Sequence, residues 1–349
     1  MSRRRSALFV AWIGVAVGAF GQTEADRLEL AFPTDNDALL RGGGPEFYQY
    51  IERDYKGAKS KPWQGGRYGF VRNPIATSAG IVYTRFHEGI DIRPLHRAAD
   101  GEPLDEVRAI AAGKVVYTNL VPSFSNYGNY IVIEHRWDGA SYYSLYGHLS
   151  SVRVRVGQEV SQRETIAVMG HTGEGLSQAR AHLHLELNLM FNRHFEGWHD
   201  TFFKADPNHH GIFNGINLAG IDIARLYLAL EKDRAMTIPR FLAQEQIFYK
   251  VAMPNSPNFE LPKLYSWLVA DAGEGRTNAA AWEVSFNRAG VPLKVERRSQ
   301  PVPEPEIAYV RKGPVDYSYL TRGVVGGRGE TVMLTDSGKR LMRLLIYPE

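Results

Sequence analysis

The 349-residue sequence contains no cysteine. This absence excludes disulfide bonds, thiolate metal ligands, a catalytic thiol and a lipid anchor on an N-terminal cysteine. Any metal ion bound by this chain must therefore be held by histidine, aspartate or glutamate side chains.

Long apolar runs are also scarce. One run from Ala7 to about Phe20 follows three arginines, but it is shorter than the roughly 20 residues that span a bilayer. We interpret residues 1–22 as a signal peptide, cleaved near Gly21 or Ala25, with an uncleaved N-terminal anchor helix as the alternative. We therefore expect an exported protein of the periplasm or cell envelope that has no stable membrane span after cleavage.

An excess of positive charge is missing from the expected mature chain. The full sequence has 41 Lys and Arg against 38 Asp and Glu, and loss of Arg3, Arg4 and Arg5 with the signal peptide leaves 38 of each sign. Nucleic-acid-binding proteins usually carry clustered positive charge. We therefore expect no nucleic-acid partner.

What the sequence does contain is a set of short alternating segments. Between residues 63 and 206, stretches such as "NYIVIEHRW" and "SYYSLYGHL" alternate apolar and polar residues and are separated by Gly, Asn and Asp. This period of two predicts antiparallel β-strands. The predicted fold is mainly β, with an antiparallel β-sheet domain that has an open groove.

The flanking regions have a different composition. Residues 23–62 form a polar, Gly-rich arm, and residues 207–349 are predicted to be a mixed or β-rich accessory region of unknown role. Within that region "IARLYLALEK" fits either a helix or a strand, whereas "RLMRLLIYPE" is interpreted as a strand. The predicted boundaries are thus 1–22, 23–62, 63–206 and 207–349.

Three motifs bring histidines and one aspartate into the β region. In "AHLHLEL" a strand would place His182 and His184 on one face and the leucines on the other. "FHEGID" contributes His87 and Asp91, and "YSLYGHLS" contributes His148. His87, Asp91 and His184 are ligand types that suit zinc, and three of them leave a fourth position open. Glu88 and Glu186 are expected beside the site, either solvated or supporting the ligands.

These motifs resemble a known family. From about Tyr68 to Leu189, "HEGID", "YGHLS" and "HLHLEL" are similar, in this order, to the motifs of the M23 (lysostaphin/LytM-type) zinc metallopeptidases, which are peptidoglycan endopeptidases. The resemblance implies that His87, Asp91 and His184 bind Zn²⁺ and that His148 and His182 flank the zinc-bound water. It also implies a tyrosine that stabilises the reaction intermediate, for which Tyr83 is the candidate.

The function implied by this resemblance is peptide-bond hydrolysis. Zinc lowers the pKa of its bound water to about 7 and polarises the scissile carbonyl, and a neutral imidazole of His148 or His182 would accept the water's proton. We expect an exported zinc metalloendopeptidase that cuts peptide cross-links in peptidoglycan, or more broadly Gly-rich proteins outside the cell. The sequence departs from the family in two longer loops, "RPLHRAADGEPLDEV" and "EGLSQARA", so substrate preference cannot be carried over.

Two alternatives remain open. The fold could act as a non-catalytic cell-wall-binding module that activates another hydrolase. The arm could also hold a catalytic site latent, with Asp35, Asn36 or Asp37 of "PTDND" covering the open zinc position. A packed surface arm is the simpler interpretation of the same residues.

Overall fold

A computed structural model describes residues 27–50, 53–60, 62–270 and 279–348. The predicted signal peptide lies outside the described residues. Among those residues, no helix has the length and apolar character needed to cross a membrane.

The arm is packed against the rest of the chain. Its one α-helix in the described part is α1 (Gly44–Phe47), and Leu28, Phe47 and Tyr48 are buried in the core. The Ala31 N–H donates to the carbonyl of Ile110 at 2.7 Å. The arm therefore contributes apolar side chains and backbone hydrogen bonds to the core.

Two antiparallel hairpins come next. The first, β1 (Arg53–Tyr55) with β2 (Ala58–Ser60), lies within the arm, and the second, β3 (Gly69–Thr77) with β4 (Gly80–His87), follows it. In the second hairpin Gly69 lies opposite His87. The β3–β4 hairpin thus ends at His87, the histidine of the "FHEGID" motif.

The next strands build the main sheet and a smaller one. They are β5 (Ile90–Ile92), β6 (Glu106–Arg108), β7 (Gly113–Asn119), β8 (Tyr130–Trp137), β9 (Ala140–Gly147), β10 (Leu149–Val152), β11 (Glu159–Val160), β12 (Thr165–Met169) and β13 (Leu183–Met190). The main sheet has the order β11-β7-β8-β9-β13-β14, with β5 also paired to β13, and all its pairs are antiparallel. The three-stranded sheet has the order β10-β12-β6. The predicted mainly β, antiparallel fold is confirmed.

The main sheet continues beyond residue 206. Helix α2 (Phe195–Phe202) leads to β14 (Leu218–Gly220), which pairs with β13. The last strand of the sheet therefore lies in the part of the chain that the sequence assigned to the accessory region.

The remaining elements are a mixture of helices and strands. They are α3 (Ile223–Lys232), α4 (Ile238–Leu242), β15 (Tyr249–Pro254), α5 (Leu261–Leu264), β16 (Ala281–Phe286), β17 (Pro292–Arg298), β18 (Glu306–Val310), β19 (Val325–Gly326), β20 (Met333–Leu334) and α6 (Asp336–Leu345). Four of these strands form an antiparallel sheet in the order β17-β16-β15-β18. The predicted β-rich accessory region is present.

Two helices lie where the sequence left the structure open or predicted a strand. "IARLYLALEK" is helix α3, which Asp222 caps by accepting a hydrogen bond from the Arg225 N–H. The strand predicted for "RLMRLLIYPE" is wrong, because residues up to Leu345 belong to helix α6, whose first turn is capped by Thr335. The helix begins at Asp336, before the quoted segment, so the capping residue Thr335 lies outside that segment. Over the whole helix, the apolar residues lie on one face and the charged residues on the other.

One continuous hydrophobic cluster joins these parts. It runs from Leu28 in the arm to Ile346 after α6 and includes Leu183, Leu185 and Leu187 of β13. All three leucines are fully buried. The sequence-predicted apolar face of "HLHLEL" therefore forms part of the core.

Candidate metal centre

Strand register brings the three motifs together. His184 on β13 lies opposite Asp91 on β5 and opposite Gly147 at the end of β9. His148 follows Gly147 directly, and His182 immediately precedes β13. Because β5 and β9 occupy the two edges of β13, residues distant in sequence meet at one end of the sheet.

A close backbone approach places the first histidine. A Cβ atom at Gly89 would lie 2.2 Å from the carbonyl oxygen of Leu185, so only glycine allows β5 to begin at this distance from β13. The turn at residues 88–89 directs the end of β4, and with it His87, toward His184.

The predicted ligands lie in contact with one another. Asp91 Oδ1 is 3.0 Å from His87 Nε2 and 3.0 Å from His184 Nδ1, and the two nitrogens are 3.1 Å apart. All three side chains are buried, and one ligand atom from each lies within 4.8 Å of the others. The geometry brings together the residues that the sequence predicted as metal ligands.

Hydrogen bonds fix the orientation of both ligand imidazoles. His87 Nδ1 lies 2.8 Å from the carbonyl oxygen of Arg67, and His184 Nε2 lies 2.8 Å from Glu186 Oε1. Metal-ligating histidines commonly donate their second N–H to a carbonyl or carboxylate in this way. The expectation that Glu186 is either solvated or supports a ligand is resolved, because it is buried and contacts His184.

His148 and His182 lie beside these ligands with similar anchoring. His148 Nδ1 is 2.8 Å from the Thr172 carbonyl oxygen, and His182 Nδ1 is 2.7 Å from that of Arg180. With the proton on Nδ1, each ring keeps a lone pair on Nε2. His182 Nε2 is 3.3 Å from Asp91 Oδ1, and the His148 and His182 ring centres are 4.6 Å apart. Both rings therefore lie next to the three candidate ligands.

The backbone of His148 is unusual. Its φ angle is +63°, a left-handed conformation that costs a non-glycine residue about 1 kcal/mol or more. The His148 N–H donates to the Tyr127 carbonyl at 2.7 Å, which holds this conformation. Such strain is frequently found at functional sites.

The buried charges interact strongly. Burial acts to raise the pKa of Asp91, but His182, His87 and Arg72 outweigh it and hold that pKa well below the usual value. Burial, together with the neighbouring His182 and His184, lowers the pKa of His148 well below its usual value. A carboxylate and a neutral imidazole are the forms that ligation and proton acceptance require.

His184 behaves differently. Burial acts to lower its pKa, but the hydrogen bonds that His184 donates to the Asp91 and Glu186 carboxylates raise the pKa to about 9. A metal ion and a proton compete for this imidazole, so ligation by His184 would release a proton.

The five residues lie in the wall of a cavity of about 890 Å³. The β3–β4 hairpin lines one side with Arg72 and Tyr83, and the loop that contains Glu174 and Leu176 lines another. Residues from beyond position 206 also take part, namely His210, Asn214 and Gly215. Tyr83, the predicted tyrosine, is thus placed in the cavity wall.

The two loops that depart from the family pattern brace each other beside this cavity. Arg97 Nη1 donates to the carbonyl of Gln178 at 3.0 Å, and Gln178 Nε2 donates to Glu102 Oε1 at 2.6 Å. Both loops are therefore held by each other near the groove that a substrate would enter.

The latency hypothesis for "PTDND" is wrong. Asp35 forms an ion pair with Arg108 at 2.7 Å, and Asp37 forms one with Arg41 at 2.6 Å. Asn36 is buried and donates to the carbonyl of Glu46 at 3.0 Å. All three side chains are occupied away from the metal ligands.

Sequence reasoning missed two contacts of the centre. Arg72 Nη2 lies 2.5 Å from Asp91 Oδ2, and the Tyr127 hydroxyl donates to Glu186 Oε1 at 2.8 Å. Neither residue belongs to a histidine motif. The register of β3 against β4 places Arg72, and the turn before β8 places Tyr127, and neither has a local sequence signal.

The geometry can now be compared with known proteins. Residues 85–195 match the model of peptidase family M23. This match covers about a third of the chain. That match includes all five of His87, Asp91, His148, His182 and His184.

Several curated proteins are similar to this domain. Identity is 33% over 117 residues to the cell division protein DipM of Caulobacter vibrioides, covering 33% of this chain and 17% of that protein. It is 39% over 85 residues to the peptidoglycan DD-endopeptidase ShyA of Vibrio cholerae, covering 23% and 18%. It is 36% over 101 residues to the murein hydrolase activator NlpD of Escherichia coli, covering 29% and 22%. The chain thus spans about a fifth of the length of these relatives.

A solved structure shows a similar partial match. The catalytic domain of the antimicrobial peptidase lysostaphin from Staphylococcus simulans is 28% identical, with 36% of this chain and 82% of that chain covered and a TM-score of 0.24. Family relatives therefore include both a named endopeptidase and a named hydrolase activator.

Proposed function

We propose that this chain is an exported zinc-dependent endopeptidase that hydrolyses peptide cross-links of peptidoglycan. The observation that carries the proposal is the convergence of five side chains, His87, Asp91, His148, His182 and His184, in the wall of one cavity. A binding module would not require two additional anchored imidazoles beside a three-residue ligand set.

The donor set supports zinc as the metal. His87 Nε2, Asp91 Oδ1 and His184 Nδ1 would hold it, since two imidazole nitrogens and one carboxylate oxygen are typical of catalytic zinc sites. These atoms lie 3.0–3.1 Å from one another, which is close enough for a single metal ion to contact all three. When bound, zinc acts as a Lewis acid on the scissile carbonyl and lowers the pKa of a water molecule.

The residues of the chain supply proton transfer and orientation. His148 and His182, each anchored through Nδ1 to a backbone carbonyl, present Nε2 as a proton acceptor. The same nitrogens, once protonated, can donate to the leaving amine. Glu186 and Tyr127 act through His184 by holding its ring in place.

The expected location agrees with the names of the relatives. These include a peptidoglycan endopeptidase, a murein hydrolase activator and an outer membrane antigenic lipoprotein. Export also requires the predicted signal peptide at residues 1–22.

A non-catalytic activator is the second candidate. The observation in its favour is the 36% identity over 101 residues to NlpD. The two functions differ in what they need, because an activator does not depend on His148 or on zinc for turnover.

Cleavage of purified cross-linked peptidoglycan by the mature protein separates these functions. We expect zinc-loaded wild-type protein to release muropeptides and zinc-loaded His148→Ala to be at least 100-fold slower, because loss of a general acid or base typically costs about 10²–10⁴ in rate. His96→Ala is the matched control, since His96 is an exposed histidine of the 93–105 loop. Mass spectrometry of the products would identify the bond.

Two results would contradict the proposal. If all three proteins bind zinc and none cuts, the activator function is favoured and should be tested by adding a second hydrolase. If His148→Ala cuts as fast as wild type, His148 has no catalytic role.

A further inference from the structure

Arg72 has a contact that no part of the proposed mechanism uses. We propose that Arg72 is a positioning residue that restricts Asp91 to a single ligand oxygen and so keeps one position of the metal open. The inference rests on the proposed metal site, because it concerns how one ligand of that site is held.

The two oxygens of Asp91 face different partners. Oδ1 lies 3.0 Å from His87 Nε2 and 3.0 Å from His184 Nδ1. Oδ2 lies 2.5 Å from Arg72 Nη2. The carboxylate is buried, so the arginine takes the place of water at Oδ2.

Arg72 is itself held in place. Its Nε donates to the carbonyl of Gly65 at 2.8 Å, so the guanidinium is fixed at one end by backbone and at the other by Asp91. An arginine presents several N–H donors in a rigid plane, which lets it make both contacts at once. A lysine has a single ammonium and cannot reproduce this pair of directions.

The fold ties this contact to a second ligand. Arg72 lies on β3 opposite Arg85 on β4, and Gly69 of the same hairpin lies opposite His87. A register shift between Phe70 and Arg72 interrupts the ladder at this point. The hairpin therefore carries both the candidate ligand His87 and Arg72, the residue that orients Asp91.

The chemical consequence concerns the number of ligand atoms. A carboxylate can bind a metal ion through one oxygen or through both, whereas a catalytic zinc site needs three protein ligands and an open fourth position. A charge-assisted hydrogen bond to Oδ2 competes with its use as a second ligand atom. Loss of Arg72 would free Oδ2 to occupy the open position.

Cobalt substitution tests this directly. Co²⁺ in a four-coordinate site absorbs visible light more strongly than in a five-coordinate site, so its spectrum reports the number of ligands without reference to activity. The full-length mature protein would be compared with Arg72→Met and Arg85→Met, and zinc affinity would be measured by competition with a chromophoric chelator. Arg85 faces the same cavity and its removal changes the same charge, but it makes no described contact with Asp91.

We expect a four-coordinate spectrum for wild type and Arg85→Met and a weaker, higher-coordinate spectrum for Arg72→Met. Zinc affinity of Arg72→Met should fall by about 10–100-fold, as is common when a partner of a metal ligand is removed. Arg72→Lys serves if Arg72→Met does not fold, and its affinity should fall by a smaller factor because one of the two contacts is lost.

The outcomes separate this inference from the proposed function. An unchanged spectrum and affinity in Arg72→Met, or wild-type affinity in Arg72→Lys, would overturn the role of Arg72 and leave the metal site intact. Wild-type protein that binds neither cobalt nor zinc would overturn both.

Discussion

His135 lies outside the metal centre but is as deeply buried as its ligands. Its Nδ1 lies 2.8 Å from the carbonyl oxygen of Ala112, and its Nε2 lies 2.7 Å from Ser144 Oγ. Its ring stacks on Trp137 with centres 5.0 Å apart. Burial lowers the pKa of His135 to about 4, against a smaller opposing effect of the Ala112 hydrogen bond.

This histidine predicts a pH dependence of stability. Its folded pKa of about 4 lies below the unfolded value of 6.5, so the unfolded state binds more protons between these values. The free energy of unfolding is therefore unaffected by the titration of His135 above pH 6.5. It falls by up to about 3 kcal/mol as the pH decreases toward 4. Urea unfolding between pH 4 and pH 7 would show a flatter dependence for His135→Asn than for wild type.

His96→Asn is the control for this measurement, because His96 is exposed and its replacement should leave the pH dependence unchanged. Equal slopes for wild type and His135→Asn would mean that His135 does not control stability in this range.

At the same scale, the sequence predicted the candidate ligands and the neighbouring Glu186, but not the contacts of Arg72 and Tyr127. His87, Asp91 and His184 stand in short motifs whose spacing a strand or tight turn translates directly into geometry. Arg72 and Tyr127 reach the centre through strand register and a turn. Their roles depend on which strands become neighbours, and a single sequence does not specify that.

The element that organises the centre is β13. One edge pairs with β9, and the other pairs with β5 at residues 183–185 and with β14 at residues 188–190. Gly89 and Gly220 lie where β5 and β14 approach this edge, and a Cβ atom on either would lie 2.2 Å from a backbone carbonyl oxygen. Both edges of β13, the strand that carries the candidate ligand His184, are therefore paired.

Gly89→Ala should disrupt this edge. The added methyl group would meet the Leu185 carbonyl and force β5 away from β13, so we expect the free energy of unfolding to fall by about 3 kcal/mol, as in overpacked cores. Zinc affinity should fall as well, because His87 and Asp91 flank the residue. Urea unfolding in the presence of a chelator and a separate zinc titration would measure the two effects.

Gly313→Ala provides the comparison, since a Cβ atom there would lie 3.5 Å from the nearest Tyr317 atom, an ordinary contact. Wild-type stability and wild-type zinc affinity in Gly89→Ala would show that β5 can move without consequence.

The elements themselves were predictable to different degrees. Strands β8 and β9 are short segments rich in Val, Ile and Tyr that are separated by Asp138 and Gly139, and this composition predicts strands from sequence. Helix α6 was not, because "RLMRLLIYPE" is a short apolar run whose period fits either structure. Packing decides it: Asn192 Nδ2 donates to the Leu344 carbonyl at 2.6 Å, and Trp198 Nε1 donates to the Arg340 carbonyl at 3.0 Å.

At the scale of the whole molecule, the region after residue 206 packs against the domain that matches the M23 model. It supplies β14, and the Tyr265 hydroxyl accepts a hydrogen bond from the Met190 N–H of β13 at 2.8 Å. Arg322 approaches the "FHEGID" motif, 3.3 Å from Glu88 and 5.0 Å from the centre of the Phe86 ring. The two regions share one hydrophobic cluster.

A fragment of residues 27–206 should therefore fail to fold on its own. It would lose a strand of the main sheet and expose the apolar surface that α6 and the Tyr265 segment cover. The net free energy of folding of a domain is small, so we expect these losses to exceed it. Circular dichroism and two-dimensional NMR of residues 27–206 and 27–348 would check this. A cooperative thermal transition in the shorter fragment would contradict it.

The pairing of β14 with β13 also has an evolutionary consequence. A domain in which the following region pairs with strand β13 cannot be recombined at residue 206 as a free-standing module. Replacement of the downstream region would require compensating substitutions around β13, so positions on the two sides of this boundary should covary among close homologues. Insertions should instead accumulate in exposed connectors such as residues 299–301, where no strand pairing is interrupted.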